Sequence, residues 1–420
     1  MRNITFVDRF EIPDVTTTTS NNFFLSDVDD DGDVELLIGH WDLGNLEGCD
    51  DSIFPRGSLH VIKYGKVWKA AHDLQMVTCV TAGRLCFKEK TSIVVLCADA
   101  QCHIFDATFD SSSHLQSICC QKLACNAKDA RILEGDGPCD MAVAYSDRVV
   151  RLFRWVPQSK TDKKPGELVL LIKWELAGQV SRISLHSTSK ASNLILASQP
   201  GGGFAFLQKK FETYESRMCP TLVYHPPRKN PNQNTETRTW LVGDLRCNTA
   251  KQSTSLIGLC LADGTLQLIS ADLHQSEAMW SVSLPVNGEL FGLSKFDLTN
   301  SDADELAVCC WDGSTYICNQ NADILHFPVG QACQAFTAGR LAISPKVNVP
   351  VLVYATCEQS TLIFYNLDVN SVPSYSLHNA LSNRPDVLEK FAKYHISYSD
   401  PIKLRKAIRF LLYHPPRHHH

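Results

Sequence analysis

The 420-residue chain has no Cys-x-x-Cys pair, although it carries 17 cysteines. That absence removes the spacing signature of structural zinc sites and dithiol redox motifs. The number is odd, and many of the cysteines lie inside apolar runs such as "VVLCADAQCHIFD" and "ELAVCCWDGSTYIC". A free cysteine in such a setting behaves as a small buried hydrophobe, so the expectation is a reduced cytosolic protein and not a disulfide scaffold. No stretch reaches the roughly 18 apolar residues of a membrane helix, and the start, "MRNITFVDRFEI", lacks the unbroken apolar core of a secretory leader. Neither membrane insertion nor secretion is expected. With a net charge of −5 and Lys and Arg scattered, there is no basic stripe for a phosphate backbone, and nucleic acid is excluded as a partner.

Catalytic signatures are missing as well. There is no GxSxG elbow, no HExxH and no phosphate loop, and "SQPGGGF" reads as a turn between strands because no helical pattern follows it. His40, His60 and His103 fall in or beside strands and read as structural. In "YSDRVVRLFRW", Tyr145, Asp147, Arg148 and Arg151 gather, but Asp147-Arg148 reads as a hairpin turn, with Arg151 and Arg154 facing outward. Nothing brings a nucleophile, a base and oxyanion donors together, so a non-enzymatic protein is expected.

What the sequence does have is repetition. An apolar run, a polar or acidic loop, a β-rich run, a tight turn and an alternating run recur along the chain, which predicts a propeller. The paired runs are "VELLIGH" with "GSLHVIKYG", "SIVVLCA" with "QCHIFD", "DMAVAYS" with "DRVVRLFRW", and "NLILASQ" with "GGGFAFLQ". They continue with "SLIGLCLA" and "DGTLQLIS", "ELAVCCW" and "DGSTYICNQ", and "PVLVYATC" and "STLIFYNL", making seven blades. "TAGRL" stands at Thr81 to Leu85 and again at Thr337 to Leu341, while Trp68, Trp174 and Trp280 read as aromatics of outer fourth strands. The last unit shows only three strands and the chain starts with an orphan one, "ITFVDRFEI". Pairing the two closes the ring and removes exposed edges. The fold class is thus all-β, a seven-bladed propeller over residues 1–367.

Residues 368–420 switch to helical periodicity. Asp400 reads as a cap with Pro401 in the first turn, and Leu404, Ile408 and Leu411 fall on one face, the candidate partner-binding or rim-docking surface of a helical tail.

The acidic loop "DVDDDGDVELLIG" places Asp27, Asp29 and Asp31 at alternate positions, followed by Gly32, Asp33 and Glu35. Carboxylates at every second residue of a tight turn converge on one point, which suits a hard cation needing six to eight oxygens. Flanked by strands, it resembles the FG-GAP loop of integrin-type propellers. Asp27, Asp29, Asp31, Glu35 and the backbone carbonyl of Asp33 are the candidate calcium ligands, although no cofactor is required. The set erodes elsewhere. In "RILEGDGPCDMAV", Ile132 stands at the first ligand position and Glu134, Asp136 and Asp140 fit; in "DLTNSDADEL", Asp297 and Glu305 remain, with Thr299 and Ser301 between them.

Taken in order, "DVDDDGDVELLIG", "YSDRVVRLFRW", "SQPGGGFAFL", "LADGTLQLI", "CCWDGSTYI" and "LLYHPP" resemble the family of integrin-alpha FG-GAP repeat-containing protein 2 over nearly the whole chain. The resemblance implies a scaffold subunit of the KICSTOR complex, partnered by a kaptin-like propeller subunit and the other KICSTOR subunits. It further implies a cytoplasmic protein recruited to the lysosomal surface. There it would help hold the GATOR complex and restrain target-of-rapamycin signalling when amino acids or glucose are scarce. The alternative is a divalent-metal-dependent propeller enzyme or a carbohydrate-binding propeller, which calcium-dependent activity would favour.

Overall fold

Seven antiparallel sheets follow one another along the chain. The computed structural model describes residues 2–3, 7–42, 56–108, 112–134, 139–158, 165–188, 191–212, 217–226, 237–247, 256–286, 288–367, 389, 391 and 406. Two units are distinguished, Asn3–Asp368 and a second comprising Met1–Arg2 with Val369–His420. Of the expected tail, Glu389, Phe391 and Lys406 are helical. Leu404, Ile408 and Leu411 lie outside the described residues. No helix among the described residues is long and apolar enough to cross a membrane.

In the first six blades, four strands run consecutively from the inside outward. The first blade contains Phe23–Ser26, Glu35–Asp42, Arg56–Lys63 and Lys66–Leu74; the sixth contains Leu290–Phe296, Glu305–Cys310, Ser314–Cys318 and Ile324–Pro328. The first strands contact one another in a ring that returns from the seventh blade to the first. Second strands such as Ser92–Cys97, Asp140–Tyr145 and Leu256–Leu261 are buried along their whole length, because each is covered by a neighbouring blade on both faces. Fourth strands alternate, as Ser276–Ser283 does, with one face inward and one toward solvent. Trp68, Trp174 and Trp280 fall on fourth strands, as expected. All described cysteines are free, most of them buried in the sheets.

The seventh blade unites the two ends of the propeller. Its inner strands are Cys333–Ser344, Val347–Thr356 and Thr361–Tyr365, and its outer strand is Asp8–Ile12, paired from Asp8 opposite Tyr365 to Ile12 opposite Thr361. The orphan N-terminal strand therefore closes the ring as expected. The repeated "TAGRL" lies on the innermost strands of the second and seventh blades, and its glycine is needed for close approach. A Cβ at Gly339 would meet Leu25 Cδ1 of the first blade at 2.5 Å.

Asp147-Arg148 forms the expected hairpin turn, with Arg148 at φ 65°. The two following arginines do not face outward. Arg151 lies over the Tyr145 ring at 4.3 Å and pairs with Asp147, and Arg154 turns onto the buried carboxylate of Asp140 at 2.7 Å. A buried acid at the start of the second strand draws the long side chain inward. His40 and His60 pack edge-on at 4.5 Å, continued by His72 and His114 across the blade, and His103 stacks on Phe105. Burial lowers the pKa of His40 to about 4, so its ring is neutral at physiological pH.

Candidate functional site

The acidic loop between Phe23–Ser26 and Glu35–Asp42 folds on its own carboxylates. Asp27 accepts the backbone N–H of Asp31 at 3.2 Å and of Gly32 at 2.8 Å, and Asp31 accepts that of Asp33 at 2.8 Å. Glu35 Oε2 reaches back to the N–H of Val28 at 3.0 Å. Asp30 and Gly32 take positive φ, which the tight turn requires. One oxygen each of Asp27, Asp29 and Glu35 lies within 4.8 Å of the others, a group that does not include Asp31.

At the focus stands the ammonium of Lys63. Its Nζ is 2.7 Å from Asp29 Oδ2, 2.7 Å from Asp31 Oδ2 and 2.9 Å from Glu35 Oε1. Lys63 ends the third strand of the same blade, one residue after Ile62, which pairs with Leu36; this register sets Lys63 across from Glu35. Its stem is further held by the Trp68 ring, 4.9 Å from Nζ. The side chain of Lys63 is 9% exposed and that of Glu35 fully buried. Burial disfavours the ammonium, but hydrogen bonds to three carboxylates more than offset it, and its pKa rises. Three acids share this one cation. Burial therefore pushes the carboxyl of Glu35, the most enclosed, up to about 7, and that of Asp29 upward, while the bonds from Lys63 and the Asp33 N–H outweigh burial at Asp31 and lower it.

The remaining acids of the loop face neighbouring blades. Asp30 accepts the N–H and the hydroxyl of Thr91 in the second blade, at 3.0 and 3.1 Å. Asp33 accepts the N–H of Lys346 in the seventh blade at 2.8 Å and the Tyr64 hydroxyl, and Asn348 of the seventh blade bonds both the Val34 N–H and the Gly32 carbonyl at 2.8 Å. The loop thus pins the first blade to both neighbours.

This arrangement does not fit a calcium ion. The cation position is filled by the tethered ammonium of Lys63, which takes an oxygen each of Asp29, Asp31 and Glu35, and both oxygens of Asp27 accept backbone N–H groups. Lys63 was not singled out from the sequence. The same arrangement stands in the third blade, where Asp140 starts the second strand and Arg154 lies directly across from it, joined by Lys209 of the fourth blade. Acid and base recur at one register position. Glu134 caps the Arg84 N–H at 3.0 Å, and Asp136 lies outside the described residues.

The family model of integrin-alpha FG-GAP repeat-containing protein 2 matches this chain over residues 62–369. A mouse protein named KICSTOR complex protein ITFG2 is 29% identical over 99% of the chain and 97% of its own length. The bovine protein of the same name is 30% identical over 92% of the chain and 75% of its own length. Among solved structures, BBS1N in complex with ARL6DN superposes with a TM-score of 0.60 at 12% identity, covering 88% of this chain and 99% of that one. Sqt1 of Saccharomyces cerevisiae gives 0.52 at 14% identity, over 89% and 100%. Likeness at those identities bears on the fold alone.

Proposed function

Because the chain belongs to the integrin-alpha FG-GAP repeat-containing protein 2 family, we propose that it is a scaffold subunit of a KICSTOR complex and performs no catalysis. The observation that carries this reading is its relationship, along almost its full length, to proteins named as KICSTOR complex subunits. The physical chemistry supports it. Among the described residues, the densest group of acids is consumed in holding three blades together, and a group spent on structure is not free to activate a substrate. In this reading the first acidic loop works without a metal, Lys63 supplying the positive charge. The chain associates with a kaptin-like propeller and the other KICSTOR subunits, and through them helps hold the GATOR complex at the lysosomal surface, restraining target-of-rapamycin signalling when nutrients are scarce.

Affinity purification of the tagged chain from cells tests this. Recovery of a kaptin-like propeller together with further KICSTOR subunits is expected. Recovery of the chain alone, or with unrelated partners, overturns the assignment. A measured turnover that depends on added divalent metal would instead favour the enzyme class.

A further inference from the structure

The inner strands of six blades wall a cavity of about 410 Å³, inside the range of roughly 300–1,000 Å³ that small-molecule sites occupy. In a chain of net charge −5, none of the residues lining it is acidic and four are basic: Arg131, Arg182, Lys295 and Arg340. Each is positioned by contacts to the fold. Arg131 Nη1 donates to Asp129 Oδ1 at 2.9 Å and to the Ala130 carbonyl at 2.6 Å, with its guanidinium over the Phe24 ring. Arg182 Nη1 donates to Asn21 Oδ1 at 2.9 Å, and its Nε lies 3.6 Å from the same Asp129. Lys295 Nζ donates to the carbonyls of Gly243 and Asp244, neither of which carries a full charge. Arg340 Nη2 donates to Asn300 and lies 3.7 Å from Asp297, which Arg246 also approaches.

Asp129 and Asp297 are the carboxylates that the guanidinium groups meet directly, while Asp244 and Asp304 act on Lys295 from further off. The lining thus gathers four cationic side chains beside the hydroxyls of Ser184, Ser294 and Thr337 and an apolar wall that includes Phe23, Leu241 and Leu293. Four cationic donors around a half-enclosed space suit a phosphate monoester, which carries about −1.5 to −2 near neutral pH with three acceptor oxygens, better than a single carboxylate. The apolar wall adds a place for the organic part.

We propose that this cavity binds a phosphorylated small molecule, its phosphate taken by Arg131, Arg182, Lys295 and Arg340. The full chain is titrated by calorimetry with inorganic phosphate and with glycerol phosphate, against chloride at matched ionic strength. Saturable binding is expected, weakened at least about tenfold by Lys295→Gln and by Arg131→Gln, each removing a charge-assisted hydrogen bond. Arg340→Gln, at the more exposed edge, serves as the variant least disturbing to folding, with circular dichroism to check each protein. Retention on vesicles containing phosphatidic acid would assign the ester to a lipid headgroup, and binding of glycerol phosphate without retention would assign it to a soluble metabolite. Absence of saturable binding at millimolar phosphate ester, a response equalled by chloride, or affinity unchanged in all three folded variants overturns the proposal. So does an acidic peptide that binds more tightly than either phosphate, which would make the channel a polypeptide site.

Discussion

Residues 27–35 in the first blade and 297–305 in the sixth share one backbone scheme and differ in how their acids are neutralised. In each, the leading aspartate accepts the N–H groups four and five residues on, Asp27 from Asp31 and Gly32, Asp297 from Ser301 and Asp302 at 3.0 and 3.1 Å. In each, the closing glutamate accepts the N–H of the second residue, Glu35 from Val28 and Glu305 from Leu298, at 3.0 and 2.9 Å. Between those anchors the first loop holds Asp29 and Asp31 around Lys63, whereas the sixth holds Thr299 and Ser301, hydroxyl to hydroxyl at 2.9 Å. Its positive charge arrives from the adjoining blades, Arg246 to Asp304 at 2.8 Å and Arg340 alongside Asp297. The comparison teaches that the aspartate spacing encodes a turn first. A cation is supplied afterwards, by whichever strand is within reach.

Removing Lys63 breaks the comparison most sharply. Lys63→Ala leaves fully buried Glu35 and two aspartates without their counter-ion, and breaking a buried pair in this way costs roughly 3–5 kcal/mol, read as a fall in the urea midpoint. The same variant frees the carboxylates to take up calcium. Millimolar calcium should therefore recover part of its thermal stability by binding the native state, while the wild type shows no shift. A calcium-dependent rise in the wild type would undo the distinction between the loops. Next in size is Asn348→Ala, which deletes the two side-chain bonds Asn348 makes to the first loop and should cost about 1–3 kcal/mol without altering the calcium response.

A gentler signal is the pH profile. Burial raises the Glu35 carboxyl above its unfolded value to about 7, so the native state binds the extra proton. Stability is then greatest below about pH 4.5 as far as this group is concerned and is lost as pH rises toward 7. Glu35→Gln should flatten that slope. Glu305, raised by the same cause, should behave alike in sign when changed to Gln. An unchanged slope in both variants would assign the pH dependence elsewhere. The smallest effect is expected at Arg246→Ala. Its side chain is 52% exposed and its pairs are screened, so the loss should stay below about 1 kcal/mol in chemical denaturation.

The strands of the ring were legible because each second and third strand is a short apolar or alternating run between turn residues, and even the outer tryptophans announced their place. The carboxylate spacing was legible for the same local reason. Lys63 was not, because its meaning depends on the pairing of Leu36 with Ile62 across a connection that local pattern cannot fix. The contacts of Asp30 and Asp33 were hidden for a stronger version of that reason. Thr91 meets Asp30 only when the second blade packs on the first, and Lys346 meets Asp33 only when the ring closes. Arg154 misled by its alternation, since the buried charge of Asp140 outweighed the outward tendency of a basic side chain.

The seam of the ring also sets a clock. Ile12 and Thr361 are partners separated by about 350 residues of chain, so Asp8–Ile12 leaves a ribosome and waits for all six intervening blades before its pairing edge exists. At roughly 5–20 residues per second, that wait lasts from about twenty seconds to more than a minute. During that interval, six blades' worth of sheet can assemble while the segment that will fasten them stays without its partner. A circular permutant that moves residues 8–12 behind Tyr365 would remove the delay, and its folding yield during synthesis, set beside that of the parent chain, would show what the late handshake costs.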